Sequence, residues 1–147
     1  SITGGNFQNI FRGCTVFNGD ISAWDVSSVF NFQSAFRSCV AFNQDIGSWN
    51  MSGATLLGSM FNSCTIFDQD ISSWDISNVT DMTLMLSGSA FSTTNYDLLL
   101  PAWEAQSVQD TVTAHFGTAT YGAGTPATAR AALISDHTWT ITDGGPT

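Results

Sequence analysis

Eleven aspartates and one glutamate, Glu104, carry the acid chemistry of this chain, and two sets of positions keep a step of 25 residues. The first is Asp20, Asp45 and Asp70, preceded by Asn18, Asn43 and Asp68. The second is Asp25, Asn50 and Asp75. Carboxylate and amide oxygens are the donors hard divalent cations take, calcium above all. Carboxylates stacked ~5 Å apart would repel by roughly 3 kcal/mol per pair at an effective dielectric of 20. Turn N–H groups that favour the charged form could offset this, and so could a bound cation. Asp20, Asp45 and Asp70 read first as turn caps, with a metal role as the alternative. Asp25, Asn50 and Asp75 lie between inward apolar positions and so should point outward. Ala23, Ser48 and Ser73 flank them on one side, Ser27, Ser52 and Ser77 on the other. Small, oxygen-rich residues of this kind suit a docking face. Asp25 and Asp75 would be roughly 9.6 Å apart, twice the strand spacing. One calcium, with ligands at about 2.3–2.6 Å, cannot join them within one chain, but ions could pair each with a facing molecule.

Other chemistry is sparse. No G-x-S-x-G, phosphate-cradling glycine loop or recognisable Cys/His pair is present, so no enzyme is expected. His115 and His137 have no ligands at zinc spacing and read as hydrogen-bonding groups. The chain has no lysine, three arginines (Arg12, Arg37, Arg130) and a net charge of −9. That argues against nucleic acid and anionic membrane surfaces, which need clustered cations. No apolar run approaches membrane-spanning length, so no membrane insertion is expected.

The period also dictates the elements that must hold these residues. Trp24, Trp49 and Trp74 keep it, as do Cys14, Cys39 and Cys64. A step between 20 and 50 residues signals stacked repeats. Coils begin at Phe11, Phe36 and Phe61, with a fading fourth at Leu86, and Phe7 and Ile10 match the end of a preceding coil. Ile21, Trp24 and Val26 space as L-x-x-L-x-L, a strand; Phe32, Ala35 and Phe36 suggest a short helical return. The tryptophans read as core rather than as a sugar-binding stripe. The cysteines read as buried thiols, with an inter-coil disulfide geometrically open. From Ser92 the period fails. Thr94 and Asn95 should cap a helix reaching Trp103, kinked at Pro101, and Thr125-Pro126 should start another. Strands are expected over 111–116 and 138–142. The expected fold is α/β: a leucine-rich-repeat-like right-handed solenoid with a parallel β-sheet on one face and an α/β C-terminal cap. The repeats would fill residues 1–93 and the capping segment 94–147.

The pattern F-x-x-C-x-x-F-N-x-D-I-S-x-W-D-V-S-x-V resembles the BspA-like leucine-rich repeat of bacterial surface proteins, also found in mycoplasma lipoproteins. Residues 61–82, FNSCTIFDQDISSWDISNVTDM, are similar to it throughout, and the tail from Thr94 to Gly145 is similar to the segment closing such arrays. Coil two departs from the pattern at Gly47, Asn50 and Gly53. The resemblance implies an exported surface or adhesin module of a larger protein, binding other proteins or cells and carrying no catalytic residue. With the exposed acidic row it leads to one main expectation: extracellular adhesion to a protein or cell-surface ligand, with calcium-dependent self-association into a homodimer through Asp25, Asn50 and Asp75. A carbohydrate-binding module, a structural spacer and an ice-binding solenoid are the alternatives. The last would want paired threonines where Ser, Asp and Asn stand.

Overall fold

The computed structural model describes residues 5–147. Its core is built from the repeated apolar columns. Phe36 and Phe61, Cys39 and Cys64, Phe42 and Phe67, and Trp49 and Trp74 are all buried. Identical rings lie over one another: Phe36 on Phe61 at 5.6 Å and 8°, Phe42 on Phe67 at 6.0 Å and 6°. Offset stacks of this kind add about 0.5–1.5 kcal/mol each beyond area burial. Each deeper tryptophan also donates its Nε1–H backwards by one coil, Trp49 to the Ile21 carbonyl at 3.1 Å and Trp74 to that of Ile46 at 3.0 Å.

The leucine-rich-repeat-like right-handed solenoid with a parallel sheet on one face is not the fold. Among the described residues, strand pairing between neighbouring coils is limited to isolated parallel bridges, Asn6 with Asn31, Asn31 with Leu56 and Leu56 with Asp81. The structure is a small α/β arrangement of two helices and short parallel strands in two sheets. Turn chemistry is the reason. The segment around Ile21–Val26, expected as a strand, is a pair of turns: Trp24 N–H returns to the Ile21 carbonyl and Val29 N–H to that of Val26. Aspartate side chains hold these turns by accepting N–H groups two residues on, and such local bonds compete with a strand ladder.

The helical return at Phe32–Phe36 does not form either. Phe32, Ser34, Phe36 and Ser38 donate their N–H groups across to Leu56, Gly58, Met60 and Asn62 of the next coil, at 2.8 to 3.0 Å. They are thus lost to any i−4 helical bond. Ser34 and Ser38 turn to positive φ, 56° and 62°, to make this possible. The left-handed region costs about 1–2 kcal/mol per non-glycine residue, which the inter-coil bonds must offset. Coil two carries Gly47 and Gly53 because neighbouring backbone comes close. A Cβ there would sit 2.7 Å from the Asp70 carbonyl oxygen and 2.8 Å from that of Ser27.

Among the described residues, a ladder forms only where the end of coil three meets the C-terminal segment. Strand β1 (Asp81–Met82) pairs in parallel with β2 (Thr113–His115), which pairs with β4 (Thr140–Thr142). Threonine-rich segments favour a pleated surface. A second sheet joins β3 (Thr120–Tyr121) to β5 (Gly145–Pro146). Helix α1 spans Thr93–Glu104, and its N-cap is Ser92, whose hydroxyl accepts the Asn95 N–H. It includes Pro101. Helix α2 spans Thr125–His137, with Pro126 in its first turn and the left-handed Thr138 as its C-cap. The two helices pack together, and Tyr96, Leu99, Leu100 and Trp103 of α1 join the coil core. Side chains after coil three take up its loose backbone groups. Gln106 Oε1 accepts the Ile76 N–H at 2.8 Å, and its Nε2 donates to the Trp74 carbonyl at 2.9 Å.

Among the described residues, the other end of the repeats is more exposed. Trp24 is 36% exposed where Trp49 and Trp74 are 4% and 0%, and Cys14 is exposed where Cys39 and Cys64 are buried. All three cysteines are free. Cys39 and Cys64 each donate S–H to the carbonyl of Phe11 or Phe36, at 2.9 Å. Burial pushes their thiols up, to about 11 and about 12. A thiol-specific disulfide reagent near pH 8 should therefore label one cysteine, Cys14, in the native protein and three after denaturation, because only the thiolate reacts. Three fast thiols in the native protein would contradict the packing.

Candidate binding face

The two aspartate rows are built by one device. Asp25 Oδ1 accepts from the Ser27 hydroxyl at 2.6 Å and its N–H at 3.2 Å. Asn50 does the same with Ser52 at 2.7 and 3.1 Å, and Asp75 with Ser77 at 2.7 and 3.0 Å. Asp25, Asn50 and Asp75 are all exposed. They point outward from turns and not, as strand alternation would have it, from a sheet. The Ser27 hydroxyl, then its N–H, holds Asp25 below the usual carboxylate range, and Ser77 does this for Asp75. The charged form is thus favoured and its first oxygen fixed. Ser73 on the flank donates to the Gly47 carbonyl at 2.7 Å, and Ser48 is exposed.

Asp20, Asp45 and Asp70 form a second row of turns, accepting the N–H groups of Ser22, Gly47 and Ser72, each at 2.9 Å. The Ser22 hydroxyl lies 2.7 Å from Asp20 Oδ1 and lowers the pKa of Asp20. Their neighbours Asn18, Asn43 and Asp68 work between coils. Asn18 Oδ1 accepts Asn43 N–H, Asn43 Oδ1 accepts Asp68 N–H, and Asp68 Oδ1 accepts Ser92 N–H, at 2.8 to 2.9 Å.

Among the described residues no three of His, Cys, Asp and Glu converge as a metal cluster. A calcium at Asp25, Asn50 or Asp75 would need its remaining oxygens from water or a second molecule. His115 Nδ1 accepts the Gly117 N–H at 3.0 Å, and His137 pairs with Asp110 at 3.2 Å on the surface. No helix among the described residues is long and apolar enough to cross a membrane.

Residues 4–99 match the family described as "Mycoplasma protein of unknown function, DUF285". The chain belongs to that family. The DUF285 match takes in all three coils and both aspartate rows and ends inside α1. No curated protein and no solved structure matches the chain.

Two features of this DUF285 chain escape a periodic reading. The Asn18 row was visible only as neighbours of Asp20, Asp45 and Asp70. Tyr96, Arg130 and Asp143 meet in the C-terminal segment although 47 residues separate the first and last. The Asp-x-Ser spacing, by contrast, was a legible turn signal.

Proposed function

We propose that this chain is an extracellular bacterial surface module that holds a partner protein or cell-surface ligand through the Asp25/Asn50/Asp75 row. The observation that carries this reading is the row itself: three exposed turns at one step, each with its first oxygen fixed by a serine. Side chains already locked lose little entropy when a partner docks, which favours affinity. The surface setting rests on the resemblance to BspA-like surface repeats, with which the mycoplasma family match is consistent.

In the finer form of this proposal, calcium makes the contact and the partner is a second copy. Two such rows repel each other in a protein of net charge −9, unless cations stand between them. Extracellular modules bind calcium at about 10⁻⁴–10⁻³ M, so association should begin in that range. Analytical ultracentrifugation with millimolar calcium should give a dimer that chelator returns to monomer. Asp25→Asn together with Asp75→Asn should keep the turns, as Asn50 does, and lose the dimer. Monomer mass in both conditions at high protein concentration would end the self-association reading.

A further inference from the structure

The repeat breaks at one point on another face. Residues 8, 33, 58 and 83 share a column occupied by Gln8, Gln33, Gly58 and Thr83, and the residues two before them are Asn6, Asn31, Leu56 and Asp81. Three members make the same bond. Asn6, Asn31 and Asp81 each use Oδ1 to accept the N–H two residues on, at 2.8, 2.9 and 2.9 Å. Leu56 has no oxygen to offer. The N–H of Gly58, a buried residue, accordingly meets no acceptor among the described residues. Buried backbone donors without an acceptor are rare and call for an explanation.

The same residue leaves room for the Asp81 carboxylate: a Cβ on Gly58 would lie 2.6 Å from Asp81 Oδ2 and 3.6 Å from Gln33 Nε2. Beside it lies a groove of about 320 Å³, lined by Gly58 with Gln8, Gln33, Ser34, Asp81 and Thr83. That volume is within the range of small-ligand sites, about 300–1,000 Å³. Asp81 Oδ2 is met there by Gln33 Nε2 at 3.3 Å, a long contact.

We infer that this groove binds a neutral saccharide unit through adjacent hydroxyl groups. The groove is lined by Gly58, whose N–H is unused, by the Asp81 carboxylate and by the Gln33 amide beside it. A hydroxyl both donates and accepts, so one can take the Gly58 N–H while its neighbour gives its proton to Asp81 Oδ2. Asp81 and the net negative charge disfavour acidic sugars. No aromatic platform lines the groove, so affinity should be millimolar. The groove shares no residue with the Asp25/Asn50/Asp75 row, and the two proposals stand or fall separately.

The test is a ¹⁵N NMR titration of the whole chain with glucose, galactose, mannose and N-acetylglucosamine, each alone. At least one should give a saturable shift of the Gly58 amide and the Gln33 side-chain amide. Leu56→Asn supplies the missing oxygen. It should shift the Gly58 amide in the free protein and weaken the sugar response at least tenfold. Gly58→Gln, which refills the column, should weaken it likewise. The inference is overturned if none of the four sugars gives a saturable shift at Gly58, meaning the N–H holds a water only. An undiminished response in a folded Gly58→Gln variant also overturns it.

Discussion

Asp143→Ala is expected to cost about 3–5 kcal/mol of folding stability, the usual loss when one partner of a buried ion pair is removed. The Asp143 side chain is 3% exposed and that of Arg130 20%. Its Oδ2 accepts from Arg130 Nε at 2.6 Å and from the Tyr96 hydroxyl at 2.7 Å. Its Oδ1 accepts Arg130 Nη2 at 3.3 Å and the Gly145 N–H at 3.0 Å. One carboxylate therefore ties α1, α2 and the entry to β5. Arg130 also lies over the Tyr121 ring at 5.0 Å. Removing the carboxylate leaves a cation and a hydroxyl stranded. Burial, and then the bond to Asp143, pushes the Tyr96 hydroxyl far above its ordinary pKa, so it serves as a donor to the carboxylate. Tyr96→Phe, which removes only one donor, should cost about 0.5–1.5 kcal/mol. Urea unfolding measures both: the midpoint should fall with little change in slope. A loss below about 1 kcal/mol for Asp143→Ala would mean the cluster does not hold the C-terminal segment.

The second large effect separates residues that the repeat makes look equivalent. Trp74→Ala should cost about 3–5 kcal/mol, as a fully buried aromatic does. It also leaves the Ile46 carbonyl without its indole donor. Trp24→Ala should cost about 1–2 kcal/mol, in the ordinary range for a partly buried site. Trp24 meets Phe7 and Phe11 at 6.2 and 5.8 Å but has solvent on its other side. Equal losses in the two variants would refute the difference in packing.

These results also show where the amino-acid sequence was readable. Recurrence of Phe, Cys and Trp at one step reported the core, because identical side chains in register can only stack. Helices α1 and α2 were readable from Pro126 and the polar residues ahead of Tyr96, although Ser92 rather than Thr94 or Asn95 caps the first. The backbone between inward positions departs from its templates. Ile21, Trp24 and Val26 satisfy a strand template, but Asp20 and Asp25 each bind a backbone N–H two residues later, and those local bonds won. The Phe32–Phe36 run satisfied a helical template, yet its N–H groups were needed by the next coil. For the candidate face, the outward direction of the aspartates agrees with the expectation, but turns rather than strand alternation produce it. Their immobilised oxygen could be read only from Ser27, Ser52 and Ser77. The Gly58 groove is marked by two replacements two residues apart, Leu56 and Gly58, and a periodic alignment treats each as a minor variation.

The more exposed first coil gives the described residues a direction. Local stability follows local contacts, so the unit with fewest of them opens first. Coil three is clamped by α1 and Gln106, coil two by coils on both sides, and coil one by coil two and the short run 5–10, where Phe7 meets Trp24 and Gly5 accepts the Phe30 N–H. Within residues 5–147 taken alone, fraying should therefore run from Trp24 towards Trp74. The Asp25/Asn50/Asp75 row inherits that gradient: stiff at Asp75, compliant at Asp25. A partner gripping it would meet a firm foothold at one end and an adaptable one at the other.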